Sequence, residues 1–211
     1  MKVMFKSSKR FMPTYIIIAL NMIVYAYTSV VGGNFIETND ELILQYGQVN
    51  LFVMHGWYWQ LFTAMFIHVN IIHLLGNMFF LLIFGLRAED MFNIQEYLAI
   101  YFLSGLAGNL LSLAFGPYSA PGVLFVSAGA SGAIFGVFGA CIIYIRRAVG
   151  QSIMTALMYA FFLFMINMGP GVNFLAHLGG LAVGLLIGYI LATKRKVRKP
   201  YEFSYSYSTK T

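Results

Sequence analysis

Apolar residues in this chain come in long runs, set apart by short clusters of charge, glycine and proline. Six runs cover approximately residues 12–31, 61–86, 93–115, 124–145, 151–168 and 173–193. Each is near the ~20 residues that a helix needs to cross a bilayer core. The pattern predicts an all-α membrane protein with six transmembrane helices. Residues 1–11 form a basic N-terminal segment, 12–193 the helical domain, and 194–211 a basic and then polar tail rich in Tyr and Ser. The breaks are Arg87 with Glu89 and Asp90, Gly116-Pro117 and Pro121-Gly122, Arg146-Arg147, and Gly169-Pro170-Gly171. The long connection 32–60 holds Glu37, Asp40 and Glu41, then Trp57-Tyr58-Trp59, aromatics that suit the membrane–water boundary.

Composition fits this reading. The 211 residues are 60% hydrophobic and 9% charged, against about 25% charged in a soluble domain. The net charge of +6 sits at the ends of the apolar runs, where topology and lipid headgroups account for it, so no nucleic-acid partner is implied. The single Cys141 lies in an apolar run and excludes an intrachain disulfide or a cysteine metal cluster. Lys2, Lys6, Lys9 and Arg10 precede the first run as in a signal peptide. The run lacks a small-x-small cleavage site, so a retained helix is expected. With six spans every basic cluster falls on one side, which makes both termini cytoplasmic and the 32–60 connection external.

Depth then picks out three polar residues. Counting back from the cytoplasmic charges at 1.5 Å per residue, Ser131 stands about 22 Å above Arg146, His177 about 25 Å above Lys194 and His73 about 21 Å above Arg87. All three share one level in the outer half of the membrane. Asn77 is one turn deeper than His73 on the same face. Small residues form a stripe at Ala128, Gly132, Gly136 and Ala140, and another at Ala176, Gly180, Gly184 and Gly188, which predicts close packing of two parallel helices. Ser131 lies ~80° to one side of its stripe and His177 ~80° to the opposite hand of its own, so the two can meet across the seam. Phe135, one turn below Ser131, is placed to pack on the imidazole.

A serine hydroxyl becomes a nucleophile when a base takes its proton, and histidine is the usual base. None of the seven acidic residues falls at the Ser131 level within a span, so a dyad is expected rather than a triad. His73, the Asn77 amide and the Ser131 N–H are suitable donors to a developing oxyanion. His68 is nearer the outer surface, where it could help hold water. Each residue also has a plain structural reading: Ser131 as a packing residue, His177 as a satisfied histidine between helices, His73 and Asn77 as interhelical glue. His55 reads as loop. There is no His-Glu-x-x-His for zinc, and Ser131 is followed by Gly132-Ala133 rather than the x-Gly of a nucleophile elbow.

Gly129-Ala130-Ser131-Gly132, Ala176-His177 with Gly180 and Gly184 following, and the series His68, His73, Asn77 together resemble the rhomboid family of intramembrane serine proteases over roughly residues 57–190. The resemblance implies the six-helix rhomboid core, Ser131 as nucleophile, His177 as general base, and oxyanion donation by His73, Asn77 and the Ser131 N–H. It implies a membrane-embedded first loop at 32–60, and a gate and cap at the fifth span with the Asn167–Asn173 loop. Implied substrates are single-pass or polytopic membrane proteins cut near the outer end of a transmembrane segment, with no cofactor and no metal. The implied setting is the cell membrane, with the site open to the outer side. The family's first loop often carries Trp-Arg where this chain has Trp59-Gln60, and some members have Tyr at Phe135. Two other functions stay open: an inactive rhomboid-like binder of membrane helices, and a small transporter or channel.

Overall fold

The computed structural model describes residues 12–117, 119–120, 123–148, 152, 154–155, 157–159, 162 and 172–194. The elements are α1 (Pro13–Gly32), α2 (Asp40–Tyr46), β1 (Gln48–Val49), α3 (Asn50–Met54), α4 (Gln60–Thr63), α5 (Ile71–Met91) and α6 (Ile94–Phe115). There follow β2 (Ser119–Ala120), β3 (Val123–Leu124), β4 (Val126–Ser127), α7 (Ser131–Ala148) and α8 (Phe174–Lys194). Helices α1, α5, α6 and α8 are each long and apolar enough to span a bilayer. Helix α7 has 18 residues and carries Arg146 and Arg147 in its last turn. The chain is an all-α integral membrane protein. The two terminal segments, most of the fifth expected span and Asn167 lie outside the described residues.

Two expected spans start later than their hydropathy suggests. The second, expected from 61, begins at Ile71. The preceding residues form α4, a turn, and an isolated bridge from Asn70 to Glu37. Asn70 takes an extended conformation and accepts the His73 N–H at 2.8 Å, and this cap starts the helix. The fourth, expected from 124, begins at Ser131 and runs to Ala148. Before it, Val126 and Ser127 are extended and pair antiparallel with Val49 and Gln48. Gly129, at φ 121°, then turns the chain into α7. Hydropathy counts apolar residues and does not see these competing bonds.

The burial pattern is that of a protein in lipid. On α1 the buried face carries Thr14, Asn21, Thr28 and Ser29, while Ile16, Ile23, Val30 and Val31 are exposed. Lipid accepts apolar side chains without cost, whereas polar ones need protein partners. The Thr14 and Tyr97 hydroxyls are 3.0 Å apart, and the Tyr25 hydroxyl donates to the carbonyls of Phe35 and Ile36. At the N-terminal end of α6, Asn93 and Glu96 form a reciprocal capping box.

Helices α6, α7 and α8 form the centre. A Cβ at Gly180 would strike the Gly132 carbonyl, and one at Gly184 the Gly136 carbonyl. A Cβ at Gly188 would come within 2.5 Å of the Ala140 carbonyl. The two small-residue stripes therefore lie backbone to backbone in parallel register. Gly108 on α6 is held as closely against the backbone of Ala176. This three-helix contact sets the positions of the first turns of α7 and α8.

Candidate active site

Ser131 is the first residue of α7. The turn before it is tied down by the Gly129 N–H, which donates to the Ala64 carbonyl at 2.8 Å. His177 is in the first turn of α8, where the Asn173 side chain accepts the Ala176 N–H at 3.0 Å. Both side chains thus project from helix N-termini that the glycine seam holds side by side. His177 Nε2 and Ser131 Oγ are 2.7 Å apart. With the imidazole neutral and its proton on Nδ1, the hydroxyl donates to Nε2. Phe135 stacks on the His177 ring, with centroids 4.5 Å apart and planes inclined at 24°. This contact braces one face of the imidazole beside Ser131.

The pair opens on a cavity of about 420 Å³ that is lined by His73, Asn77, Asn109 and Asn173 among its polar groups. None of its described lining residues is an Asp or Glu. Gly129 leaves room at its floor. A Cβ there would stand 2.9 Å from His73 Nε2 and 3.8 Å from Ser131 Oγ, so the missing side chain keeps open the space between those groups. Asn77 Nδ2 donates to the His73 carbonyl at 2.8 Å. That bond uses one of the two N–H donors of the amide. As the first residue of α7, Ser131 has an N–H with no intrahelical acceptor.

His68, expected nearer the outer surface than His73 with a part in holding water, is fully buried and stands outside the cavity's described lining. Its ring meets that of His73 edge-on at 5.1 Å, and its carbonyl accepts the Thr38 hydroxyl at 2.6 Å. It therefore supports His73 from behind. Gly132, Gly136, Gly180 and Gly184 all lie in the α7–α8 seam.

Three contributors were not apparent from hydropathy and spacing. Asn173, expected where the loop ends and the sixth span starts, caps α8 and lines the cavity. An Asn four residues before a histidine at a helix start was the available signal. The extended stretch at Val126–Ser127 forms a cavity wall and was concealed in an apolar run. Gln60, in place of the arginine often found in the resembling family, is fully buried and bonds at both ends of its amide. Its Oε1 accepts the Val49 N–H at 2.9 Å, and its Nε2 donates to the Leu44 carbonyl at 2.7 Å.

Comparison with known proteins gives a consistent result. The family model described as the rhomboid domain matches residues 55–194. RHOMBOID-like protein 6, mitochondrial, of Arabidopsis thaliana is 39% identical over 139 residues, which is 63% of this chain and 43% of that protein. The rhomboid protease GluP of Bacillus subtilis is 32% identical over 185 residues, 81% of this chain and 33% of that protein. The putative rhomboid protease YdcA of the same bacterium is 33% identical over 156 residues, 71% of this chain and 75% of that protein. The chain thus spans less than half the length of the first two relatives and three quarters of the third.

Proposed function

The chain belongs to the rhomboid family, and from that premise we propose that it is an intramembrane serine endopeptidase working through a Ser131–His177 dyad. The observation that carries this reading is the 2.7 Å contact between Ser131 Oγ and His177 Nε2 at the wall of a cavity large enough for a peptide segment. Its substrates are membrane proteins, cut at or near the outer end of a transmembrane segment.

His177 Nε2 takes the hydroxyl proton as Ser131 Oγ attacks the scissile carbonyl carbon. Negative charge builds on the carbonyl oxygen, where the Ser131 N–H, the His73 ring N–H and the free N–H of Asn77 can donate to it. The imidazolium then gives its proton to the leaving amine, and the C–N bond breaks to leave an acyl ester on Ser131. Water attacks the ester with His177 again as base, which restores the hydroxyl and releases the acid. Phe135 and the helix cap at Asn173 take the part that an acidic third residue plays elsewhere, since both limit the imidazole's orientation.

The location suits the chemistry. Hydrolysis needs water, so the site belongs at the outer ends of α5, α7 and α8, with both chain termini cytoplasmic and the chain in the cell membrane. A helical substrate hides its carbonyls in its own hydrogen bonds and must unwind before attack, so segments rich in weak helix formers are preferred. The strand Val126–Ser127 is paired to β1 on one edge and forms part of the cavity wall. An unwound segment can add along its other edge.

The test is purified protein in detergent with a transmembrane substrate carrying a helix-destabilised outer end. Ser131→Ala and His177→Ala should each abolish cleavage, and a fluorophosphonate should label wild type on Ser131. Cleavage that persists in Ser131→Ala removes the assignment.

A further inference from the structure

We infer that Asn173 is a positioning residue for His177, and that a buried polar chain through Ser112 and Asn50 fixes the rotation of the helix turn it caps. This inference rests on Ser131 and His177 being the reacting pair.

Asn173 stands just before α8 and uses both ends of its amide. Oδ1 accepts the Ala176 N–H at 3.0 Å, and the backbone carbonyl accepts the His177 N–H at 3.2 Å. Nδ2 donates to Ser112 Oγ on α6 at 2.7 Å. Ser112 is buried, and its carbonyl accepts from Asn50 Nδ2 at 2.8 Å. Asn50 Oδ1 in turn accepts from Gln48 Nε2 at 2.8 Å. Gln48 is the β1 residue paired with Ser127, four positions before Ser131. The chain of bonds therefore starts beside the strand leading to the nucleophile and ends at the turn bearing the base.

A cap that bonded only to its own helix would stabilise that helix without fixing its rotation. This cap is also tied to a second helix. The first turn of α8 therefore cannot rotate about its axis without breaking the bond to Ser112. A side-chain tip lies ~6 Å from the helix axis, so ~10° of rotation moves it by about 1 Å. A displacement of that size at reacting atoms can cost on the order of a hundredfold in rate. The closest contacts of the seam at that end are backbone to backbone, Gly180 on Gly132 and Gly108 on Ala176, so the Asn173–Ser112 bond adds a side-chain constraint on the rotation.

Ser112 gives the cleaner test, because it lies outside the cavity's described lining while Asn173 lies within it. The measurements are the rate of fluorophosphonate labelling of Ser131, which needs no peptide binding, and the steady-state cleavage constants. Both are taken on the full chain in detergent and expressed per folded molecule. Ser112→Ala should lower the labelling rate and kcat together by roughly tenfold, with KM within about twofold of wild type. Asn173→Ala should lower labelling by at least as much. Asn173→Asp should recover most of it, because a carboxylate accepts from both the Ala176 N–H and the Ser112 hydroxyl. If Asn173→Ala does not fold, Ser112→Ala and Asn173→Asp decide the matter between them. Wild-type labelling in Ser112→Ala, a change confined to KM, or Asn173→Asp labelling no faster than Ser112→Ala would each overturn the inference. Cleavage surviving in Ser131→Ala would instead remove the reading beneath it, so the two failures are distinguishable.

Discussion

The α7–α8 seam and the segment between α1 and α5 solve opposite problems. The seam joins two regular helices whose backbone groups are already bonded internally. Nothing drives them together by excluding water from apolar surface, since lipid is apolar too. They associate by omitting side chains, so that Gly180 and Gly184 rest on the carbonyls of Gly132 and Gly136. Residues 33–70 are irregular, with three short helices and a two-residue strand. Their backbone groups have no regular ladder to satisfy them, and polar side chains do it instead. Gln60 serves Val49 and Leu44, Thr63 the Tyr46 carbonyl, Asn109 the Leu61 carbonyl, and Thr38 the His68 carbonyl. In a membrane, regular structure is held by small residues and irregular structure by polar ones. The candidate site lies where the two meet, with Ser131 and His177 delivered by the seam and His73 by the helix that follows the irregular segment.

Substitutions can break that contrast at either end. The largest effect is expected at the seam. Gly180→Leu places a side chain into the Gly132 backbone and must push the first turns of α7 and α8 apart. Cleavage should fall by more than about a hundredfold, and overpacking should cost about 1–3 kcal/mol. Activity assays and denaturation in mixed micelles check both. Gln60→Ala attacks the irregular segment, leaving the buried Val49 N–H and Leu44 carbonyl without their partner. Stability should drop by about 2–4 kcal/mol, one to two unsatisfied groups, while labelling of Ser131 in the folded fraction stays within about threefold. A Gln60→Ala protein as inactive as Gly180→Leu would erase the distinction between the two regions.

Phe135→Leu sharpens the comparison from inside the site. Losing the stack on His177 removes about 1 kcal/mol of ring contact, so labelling should slow by roughly fivefold with the melting temperature little changed. Phe135→Tyr keeps the ring and should react at close to the wild-type rate. The smallest effect is expected far from both regions. Asn93→Ala removes the capping box of α6, which should cost about 1 kcal/mol and leave cleavage unchanged when measured below the melting transition.

Much of the site was legible in spacing. Helix rise alone places Ser131, His177 and His73 at one depth, and the two small-residue stripes announce a parallel pair of helices. The start of α7 was not legible. Val126 and Ser127 are as apolar in context as the helix that follows, and their extended form comes from pairing with Gln48 and Val49 about 78 residues earlier in the chain. The burial of His68 was hidden for a similar reason. Its place behind His73 depends on Thr38 reaching across from a separate part of the chain.

Local and periodic features were decided by the amino-acid order itself: the membrane-spanning character, the start of α6 at Asn93, and the faces that carry glycine. These follow from transfer free energy, capping chemistry and helical pitch, which act over a few residues. Tertiary structure alone decided the Ser131–His177 distance, the stack of Phe135, and the bonds from Gln60 and Ser112. Each of these depends on angstrom-scale positions of atoms from distant segments, and those positions exist only after the helices have packed.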